Sequence, residues 1–104
     1  MFASKKEANR YVELKLLQRV GAIRSLETHP AFDLSINGEP LLTPSNRKIR
    51  YEADFEYEEK VGAEWCRVIE DCKGYMNKGD PTYRLFALKA ALVRVLHGVT
   101  VRIT

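Results

Sequence analysis

Apolar and polar positions alternate most clearly between Lys48 and Glu58. The apolar positions are Ile49, Tyr51, Ala53, Phe55 and Tyr57, and the charged ones are Arg50, Glu52, Asp54, Glu56 and Glu58. Side chains two residues apart share one face of a strand, so this pattern predicts a strand with one buried face. The apolar stretch Trp65–Lys73 follows a turn at Gly62, and the two segments together predict a hairpin.

Apolar residues at helical spacing mark a segment near the start of the chain. It opens with Ser4-Lys5-Lys6-Glu7, a capping-box pattern, and predicts a helix that runs to about Val20 and stops at Gly21. Its apolar residues form two stripes, one of Ala8, Val12, Leu16 and Val20 and the other of Tyr11, Leu14 and Leu17. We expect such a helix to be covered on more than one side, by the sheet and by another helix or a second subunit.

A second helix is predicted from Asp80-Pro81, with Asp80 as its cap, to His97, just before Gly98. Short apolar runs predict strands at three further places, which are Ile23–Thr28, Phe32–Ile36 and Val99–Ile103. The strands on either side of the second helix are placed to form a right-handed parallel crossover. The predicted fold class is therefore α/β, a small mixed β-sheet flanked by helices, with strands between the two helices and one strand after the second.

Length and composition are those of one soluble domain. The chain has 104 residues, of which 45% are hydrophobic and 30% charged, with a net charge of +3. These values predict a single domain over residues 1–104. No apolar run reaches the roughly 20 residues that span a membrane, and the polar start is unlike a signal peptide, so we expect no membrane contact and a cytoplasmic location. The mild positive charge is compatible with nucleic acid.

The two cysteines, Cys66 and Cys72, fall six positions apart on one predicted strand. An extended strand separates them by about 20 Å, beyond the reach of roughly 7 Å that a disulfide needs. We expect both to be small buried hydrophobic residues in a reducing compartment. His29 is expected to be a loop residue, and His97 to have a structural role at a helix end, where the dipole favours a cation.

The charged residues that suggest chemistry begin with Asp71 and Lys73, which close a predicted apolar strand. Their spacing points a carboxylate and an ammonium to one face. Asp54 lies in the strand before them, and Glu7 lies on the opening helix. Acids gathered at a sheet edge bind divalent cations, and a nearby lysine stabilises developing negative charge. The combination predicts metal-dependent cleavage of phosphodiesters.

This arrangement of acids and lysine resembles the PD-(D/E)XK nuclease superfamily. Three phrases are more closely similar to a family of small phage proteins that is grouped with endonuclease I-type Holliday junction resolvases. They are Phe2-Ala3-Ser4-Lys5-Lys6-Glu7-Ala8-Asn9-Arg10-Tyr11, Tyr51-Glu52-Ala53-Asp54-Phe55 and Glu70-Asp71-Cys72-Lys73-Gly74. The resemblance covers nearly the whole chain. It implies a restriction-endonuclease-like core in the order αβββαβ, and structure-selective cleavage of branched DNA in phage recombination or replication.

The resemblance also implies a cofactor and roles for individual residues. Glu7, Asp54 and Asp71 would hold one or two ions of Mg²⁺ or Mn²⁺, and Lys73 would polarise the attacking water or stabilise the pentavalent phosphate. We expect no small-molecule cofactor. Two features depart from the family. Ala53 stands in place of the proline, and the sequence begins at the first phrase, where relatives carry a basic segment, so we expect weaker substrate affinity.

Two residues are second-tier candidates. The family phrase carries an acid at Glu70, although a regular strand turns this side chain away from Asp71. A bulge would be needed to turn it inward. Lys89 lies beside the apolar stripe of the second helix, either as a snorkelling lysine or as a second cation near the metal.

The four leading candidates also have simpler structural interpretations. Glu7 occupies the capping-box position, where its carboxylate can bond the Ser4 amide. Asp54 can be one of several solvated acids on its strand, and Asp71 with Lys73 an ordinary ion pair on one face. If the hairpin brings Asp54 beside Asp71, the metal-site interpretation is favoured over all of these simpler ones together.

Basic and polar residues flank the proposed site in three clusters, which are the predicted DNA contacts. They are Lys5, Lys6 and Arg10 around Glu7; Arg47, Lys48 and Arg50 before Asp54; and Tyr75, Asn77 and Lys78 after Lys73. Residues of these types contact phosphates, which fits binding selected by the shape of the DNA.

Two functions follow from different classes. The leading one is a Mg²⁺-dependent endodeoxyribonuclease acting on branched DNA, and the alternative is a catalytically inactive nuclease-fold protein that binds DNA or a host protein. Metal binding discriminates between them. Because resolving a four-way junction needs two symmetric cuts, we also expect a homodimer that uses one stripe of the first helix.

Overall fold

A computed structural model of the protein describes residues 4–73 and 78–104, in which helices and strands are mixed along the chain. Helix α1 spans Lys5–Arg19, and helix α2 spans Pro81–His97. The strands are β1 (Ile23–Thr28), β2 (Ala31–Asp33), β3 (Ser35–Ile36), β4 (Glu39–Pro40), β5 (Arg50–Glu52), β6 (Phe55–Val61), β7 (Glu64–Asp71) and β8 (Val101–Ile103). The predicted class, α/β with a mixed sheet and two helices, is confirmed.

The main sheet has four strands in the order β1-β6-β7-β8. Strand β6 pairs antiparallel with both β1 and β7, whereas β8 pairs in parallel with β7. Helix α2 connects β7 to β8, as predicted for a parallel crossover. Two small sheets, β2 with β5 and β3 with β4, lie in the chain between β1 and β6. The predicted strand Phe32–Ile36 is therefore divided, and its two parts pair with different partners.

The predicted continuous strand Lys48–Glu58 is wrong, because the backbone breaks between β5 and β6 at Ala53 and Asp54. The residues of the break pair with two other segments. The His29 amide donates to the Asp54 carbonyl at 2.9 Å, and the Asp54 amide donates to the Glu70 carbonyl at 3.1 Å. The connection between β1 and β2 is thereby fixed beside the end of β7.

This break also transfers the buried positions from one face of the main sheet to the other. One core contains Phe32, Leu34, Tyr51, Ala53, Ile69, Phe86, Val93 and Val99, and the second contains Leu14, Ile23, Phe55, Tyr57 and Val68. Val68 and Ile69 are neighbours on β7 and belong to different cores, so the two cores lie on opposite faces. Tyr51 and Phe55 alternate in sequence as if they shared a face, yet they pack against different helices.

Both helices begin and end close to their predicted residues. The Glu7 amide donates to Ser4 Oγ at 3.1 Å, and the Thr82 amide donates to Asp80 Oδ1 at 2.8 Å. A side chain therefore caps each N-terminus. Helix α2 ends at Gly98, whose φ of 68° lies in the left-handed region that favours glycine.

Helix α1 buries little apolar surface. Leu14 is its one fully buried apolar residue, and half-buried Tyr11 stacks on Phe55 with ring centroids 6.2 Å apart. Val12, Leu16 and Val20, here called the outer stripe, are 58%, 55% and 77% exposed. The first predicted stripe thus points away from the sheet over most of its length.

Three smaller predictions are also corrected. Cys66 is exposed and Cys72 is half-buried, so the cysteines are not both core residues. The strand predicted over Trp65–Lys73 ends at Asp71, and the one predicted from Val99 begins at Val101. Within the described residues, 4–73 and 78–104, neither helix is long and apolar enough to cross a membrane.

Candidate metal centre

Four separate elements bring acidic side chains and one imidazole to the same end of the main sheet. Helix α1 contributes Glu7 from its first turn, and the connection between β1 and β2 contributes His29. The break before β6 contributes Asp54, and the end of β7 contributes Asp71. The register of the hairpin, in which Phe55 is opposite Glu70, carries Asp54 to the level of Asp71.

Glu7, His29 and Asp54 form the tightest part of this cluster. One ligand atom of each residue lies within 4.8 Å of the others. Glu7 is 5% exposed, and its Oε1 atom is buried without a hydrogen-bond partner among the described residues. His29 Nε2 lies 3.6 Å from this oxygen, which is too long for a hydrogen bond.

Asp54 is held in an environment that opposes its ionisation. Its Oδ2 accepts a hydrogen bond from the Cys72 amide at 2.7 Å. Burial, and then the neighbouring carboxylates of Asp71 and Glu7, raise the pKa of Asp54 to about 6, although the Cys72 amide acts in the opposite direction. A carboxyl group so placed gains from a bound cation, because the cation offsets the negative charges around it.

Asp71 is 2% exposed and is oriented by two neighbours. Its Oδ1 lies 3.0 Å from Lys73 Nζ, and its Oδ2 accepts a hydrogen bond of 2.5 Å from the Tyr51 hydroxyl. Burial and this hydrogen bond raise the pKa of Tyr51 well above its usual range, so the phenol remains a donor. Lys73 Nζ also lies 4.4 Å from the ring centroid of Phe86. Lys73 is thus held beside Asp71 from two directions.

These donors fit a divalent cation. Carboxylate oxygens and a neutral imidazole nitrogen are ordinary ligands of such ions, and the bare Glu7 Oε1 is a buried acceptor that the described residues leave unsatisfied. The simpler interpretations fit less well. Glu7 caps through its amide and not through its carboxylate. The pair of Asp71 and Lys73 is not an exposed one, since the carboxylate is buried.

Glu70, a second-tier candidate, lies on the opposite face of the sheet from Asp71. The strand is regular there, and Glu70 is fully buried. Arg10 approaches it with two nitrogens, at 2.7 and 2.9 Å, and the Tyr57 hydroxyl donates at 2.7 Å. Burial raises the pKa of Glu70, but the hydrogen bonds from Arg10, Tyr57 and Thr104 outweigh it and hold the pKa below its usual value. These contacts give Glu70 a structural role, which joins α1 to β7.

Some of the predicted DNA contacts line two depressions on the described surface. Lys5, Lys6 and Arg10 line a groove along α1, together with Asn9, Glu13 and Thr104. Arg50, Lys73 and Lys89 line a cleft on the α2 side, together with Tyr51, Glu52, Thr82, Leu85 and Phe86. Arg10 is already engaged by Glu70 and Glu13, so the two lysines are the cations of the groove that carry no ion pair within the described chain.

Arg50 and the remaining predicted contacts are exposed on the surface or lie outside the described residues. Arg50 pairs with the exposed Asp33 at 2.7 Å. Arg47 and Lys48 are exposed in the segment before β5, and Lys78 is exposed before α2. Tyr75 and Asn77 lie outside the described residues.

His29 is the residue of the cluster that the sequence did not identify. Its position depends on the backbone pairing of the break with the β1–β2 connection, a tertiary contact that no periodicity reveals. The one local signal was a histidine directly before Pro30, in a short connection between two strands.

Comparison with known proteins gives one match. No curated protein and no solved structure matches the chain at a significant level. A family described as "Protein of unknown function (DUF1064)" matches over residues 1–99. This match contains every residue of the cluster, from Glu7 to Lys73. The chain therefore belongs to the DUF1064 family.

Proposed function

We propose that this protein is a metal-dependent endodeoxyribonuclease that cleaves branched DNA. The observation that carries the proposal is the meeting of Glu7, Asp54, Asp71 and Lys73 at one end of the main sheet. Three acids from separate elements, with a lysine paired to one of them and one carboxylate oxygen left bare in a buried position, are more than a solvated face requires.

The arrangement of the main sheet supports the same proposal. If the two small sheets are set aside as insertions, the order is α1, then β1, β6 and β7, then α2 and β8. This corresponds to the αβββαβ order of a restriction-endonuclease-like core. Glu7 is then on the first helix, Asp54 is directly before β6 and Asp71 is at the end of the adjacent β7, an arrangement that supports the PD-(D/E)XK resemblance.

Each residue has a distinct part in the proposed chemistry. Glu7 and Asp54 would hold Mg²⁺ or Mn²⁺, and Asp71 would complete the ligand set on the side of Lys73. The cation supplies Lewis-acid activation of water and neutralises charge on the phosphate. Lys73, held at 3.0 Å from Asp71, presents its ammonium group to charge that develops on the phosphate. Tyr51 is a positioning residue, because it acts by orienting Asp71.

The positions of the basic residues suggest the path of the DNA over the protein. Lys5 and Lys6 flank Glu7 on the α1 side, and Lys89 with Arg50 lines the cleft beside Lys73. A duplex backbone that crosses both surfaces would pass over the cluster between them. Contacts of this kind read phosphates and shape, so the proposed substrate is a branched DNA such as a four-way junction, in the cytoplasm of a phage host.

A cleavage assay tests the proposal directly. Purified protein is incubated with a four-way junction, a flap and a linear duplex, each with Mg²⁺, with Mn²⁺ or with a chelator. We expect metal-dependent cutting, fastest on the junction. Asp54→Asn abolishes it, whereas Glu64→Gln, which alters an exposed acid at the far end of β7, does not. Junction binding with metal but no cutting would instead indicate an inactive nuclease-fold protein.

A further inference from the structure

His29 is the one member of the metal cluster that is not a carboxylate. Its Nε2 lies 3.6 Å from Glu7 Oε1, and it reaches within 4.8 Å of the Asp54 carboxylate. Two atoms that bind one ion at about 2.1 Å each lie roughly 3.0 to 3.5 Å apart, depending on the coordination angle. The separation of His29 Nε2 and Glu7 Oε1 is therefore close to that of two ligands of a shared ion.

The buried oxygen of Glu7 is an independent sign that something belongs between these atoms. Glu7 is 5% exposed, and its Oε1 has no hydrogen-bond partner within the described chain. A bare carboxylate oxygen in such a place is costly unless a cation or a donor reaches it. The imidazole faces it at a distance too long for a hydrogen bond, and that distance leaves the gap between them.

A carboxylate behind the imidazole completes a pattern that metal-binding histidines share. His29 Nδ1 lies 3.3 Å from Oε1 of Glu52, a largely exposed acid of β5. A histidine ligand usually gives its second ring nitrogen to a carboxylate, which fixes the tautomer and makes the other nitrogen a better ligand. Glu52 thus turns Nδ1 outward and Nε2 toward Glu7 and Asp54.

The backbone holds His29 in this place at some conformational cost. Its φ is +54°, a value in the left-handed region, although it precedes Pro30 and residues before proline favour extended backbone. Two hydrogen bonds fix the turn, from the His29 amide to the Asp54 carbonyl and from the Ala53 amide to the Pro30 carbonyl. Strained residues held by their surroundings are concentrated at functional sites.

We propose that His29 Nε2 is a further ligand of the cation held by Glu7 and Asp54, and that it makes the centre prefer Mn²⁺ to Mg²⁺. The proposal rests on the proposed function only in requiring that the cluster binds a divalent cation. Mg²⁺ favours oxygen ligands and keeps its waters, whereas imidazole suits first-row transition metals. One nitrogen among oxygen donors therefore shifts the preference toward Mn²⁺ without excluding Mg²⁺.

The test uses Mn²⁺ itself as a spectroscopic probe. Electron spin-echo spectra of the Mn²⁺-loaded protein should contain ¹⁴N modulation from one imidazole, and calorimetry should give tighter binding of Mn²⁺ than of Mg²⁺. His29→Asn, chosen because asparagine tolerates positive φ, should remove the modulation. It should weaken Mn²⁺ binding by about 10-fold or more, the scale seen even when an outer-shell partner is lost, and change Mg²⁺ binding much less.

Two further variants keep the result interpretable. His97→Asn changes the other histidine of the chain, which bonds the Asp33 carbonyl and is not part of the cluster, and should leave the spectrum unchanged. Glu52→Gln leaves the ligand in place, and should keep the modulation while reducing Mn²⁺ affinity.

Different failures have different meanings. Mn²⁺ bound without ¹⁴N modulation, or equally well by His29→Asn, would overturn the role of His29 and leave a carboxylate site in place. Binding of neither Mn²⁺ nor Mg²⁺ to the wild-type protein would overturn both this inference and the metal requirement of the proposed function.

Discussion

At the scale of single residues, Asp54 carries a conflict between stability and function. In the folded protein the pKa of the Asp54 carboxyl is about 6, whereas the ordinary pKa of an aspartate carboxyl is 3.8. A group with a raised pKa favours the folded state at low pH, and that advantage is lost as the pH rises through the folded value. Above pH 6 the ionised Asp54 therefore works against folding unless a cation is bound.

Asp54→Asn should make the metal-free protein more stable at pH 8. The amide keeps an oxygen for the Cys72 amide and removes the charge, so we expect a gain on the order of 1–2 kcal/mol after allowance for solvent screening. Urea unfolding with a chelator present measures it, and the gain should vanish below about pH 4. A variant less stable than the wild type at pH 8 would contradict the assignment, and Glu64→Gln serves as the exposed control.

Asp71→Asn and Lys73→Ala test the catalytic pair. Each should lower junction cleavage by at least about 100-fold while most of the DNA binding persists, because the proposed function assigns both residues to stabilising charge on the phosphate. Folding is checked separately, since Asp71 is buried and contacts Tyr51 and Lys73. Single-turnover cleavage and gel-shift titration measure the two effects separately. Cleavage at the wild-type rate by either folded variant would reject the roles assigned to the pair.

At the scale of elements, α1 is attached to the sheet more by charge than by apolar contact. Leu14 and Tyr11 are its main apolar contacts, and the bidentate pair between Arg10 and Glu70 is buried between α1 and β7. The first turn of the same helix holds Glu7 in the cluster. The position of Glu7 therefore depends on a salt bridge one turn away.

Glu70→Gln should destabilise the fold by about 3 kcal/mol, since it leaves the Arg10 guanidinium without its buried partner. Because the pKa of Glu70 is lowered in the folded state, its stabilising effect is present above its ordinary value of 4.5 and is lost as the pH falls below it. Urea unfolding at pH 7 and pH 3 should give a smaller difference between variant and wild type at pH 3. Glu13→Gln, which removes the exposed partner of Arg10, should change stability little.

The sequence predicted the elements whose signals are local and missed what depends on tertiary pairing. Ser4, Asp80 and Gly98 mark helix ends through their own chemistry, and these predictions hold. The break at Asp54 interrupts a perfect alternation, because backbone pairing with the β1–β2 connection outweighs the strand pattern. His29 reaches the cluster through that same pairing, so the missed break and the missed histidine have one physical cause.

At the scale of the whole molecule, the outer stripe of α1 is a surface that a second copy would cover. Val12, Leu16 and Val20 are each more than half exposed on the side of the helix that faces away from the sheet. Two copies joined by this stripe about a two-fold axis would present two clusters for two symmetric cuts in one junction. We propose this dimer as the assembly of the protein.

Light scattering at micromolar concentration, with and without junction DNA, should detect a dimer. Leu16→Glu should convert it to a monomer, because the charge cannot be buried without a partner. Leu88→Glu places the same charge on an equally exposed position of α2, at 59% exposure, and should leave the dimer intact. A wild-type monomer under both conditions would exclude the paired cut and leave a nickase or a non-catalytic scaffold.

The break at Asp54 has a consequence for the motions of the protein. It is the point at which one chain segment passes from the core under α2 to the core under α1, and its side chain belongs to the metal cluster. A metal ion bound there would link α1, the β1–β2 connection and the break before β6. The apolar contacts of these segments lie on opposite faces of the sheet. Amide hydrogen exchange should then slow in both layers together when the metal is added, because an ion held between them couples their opening.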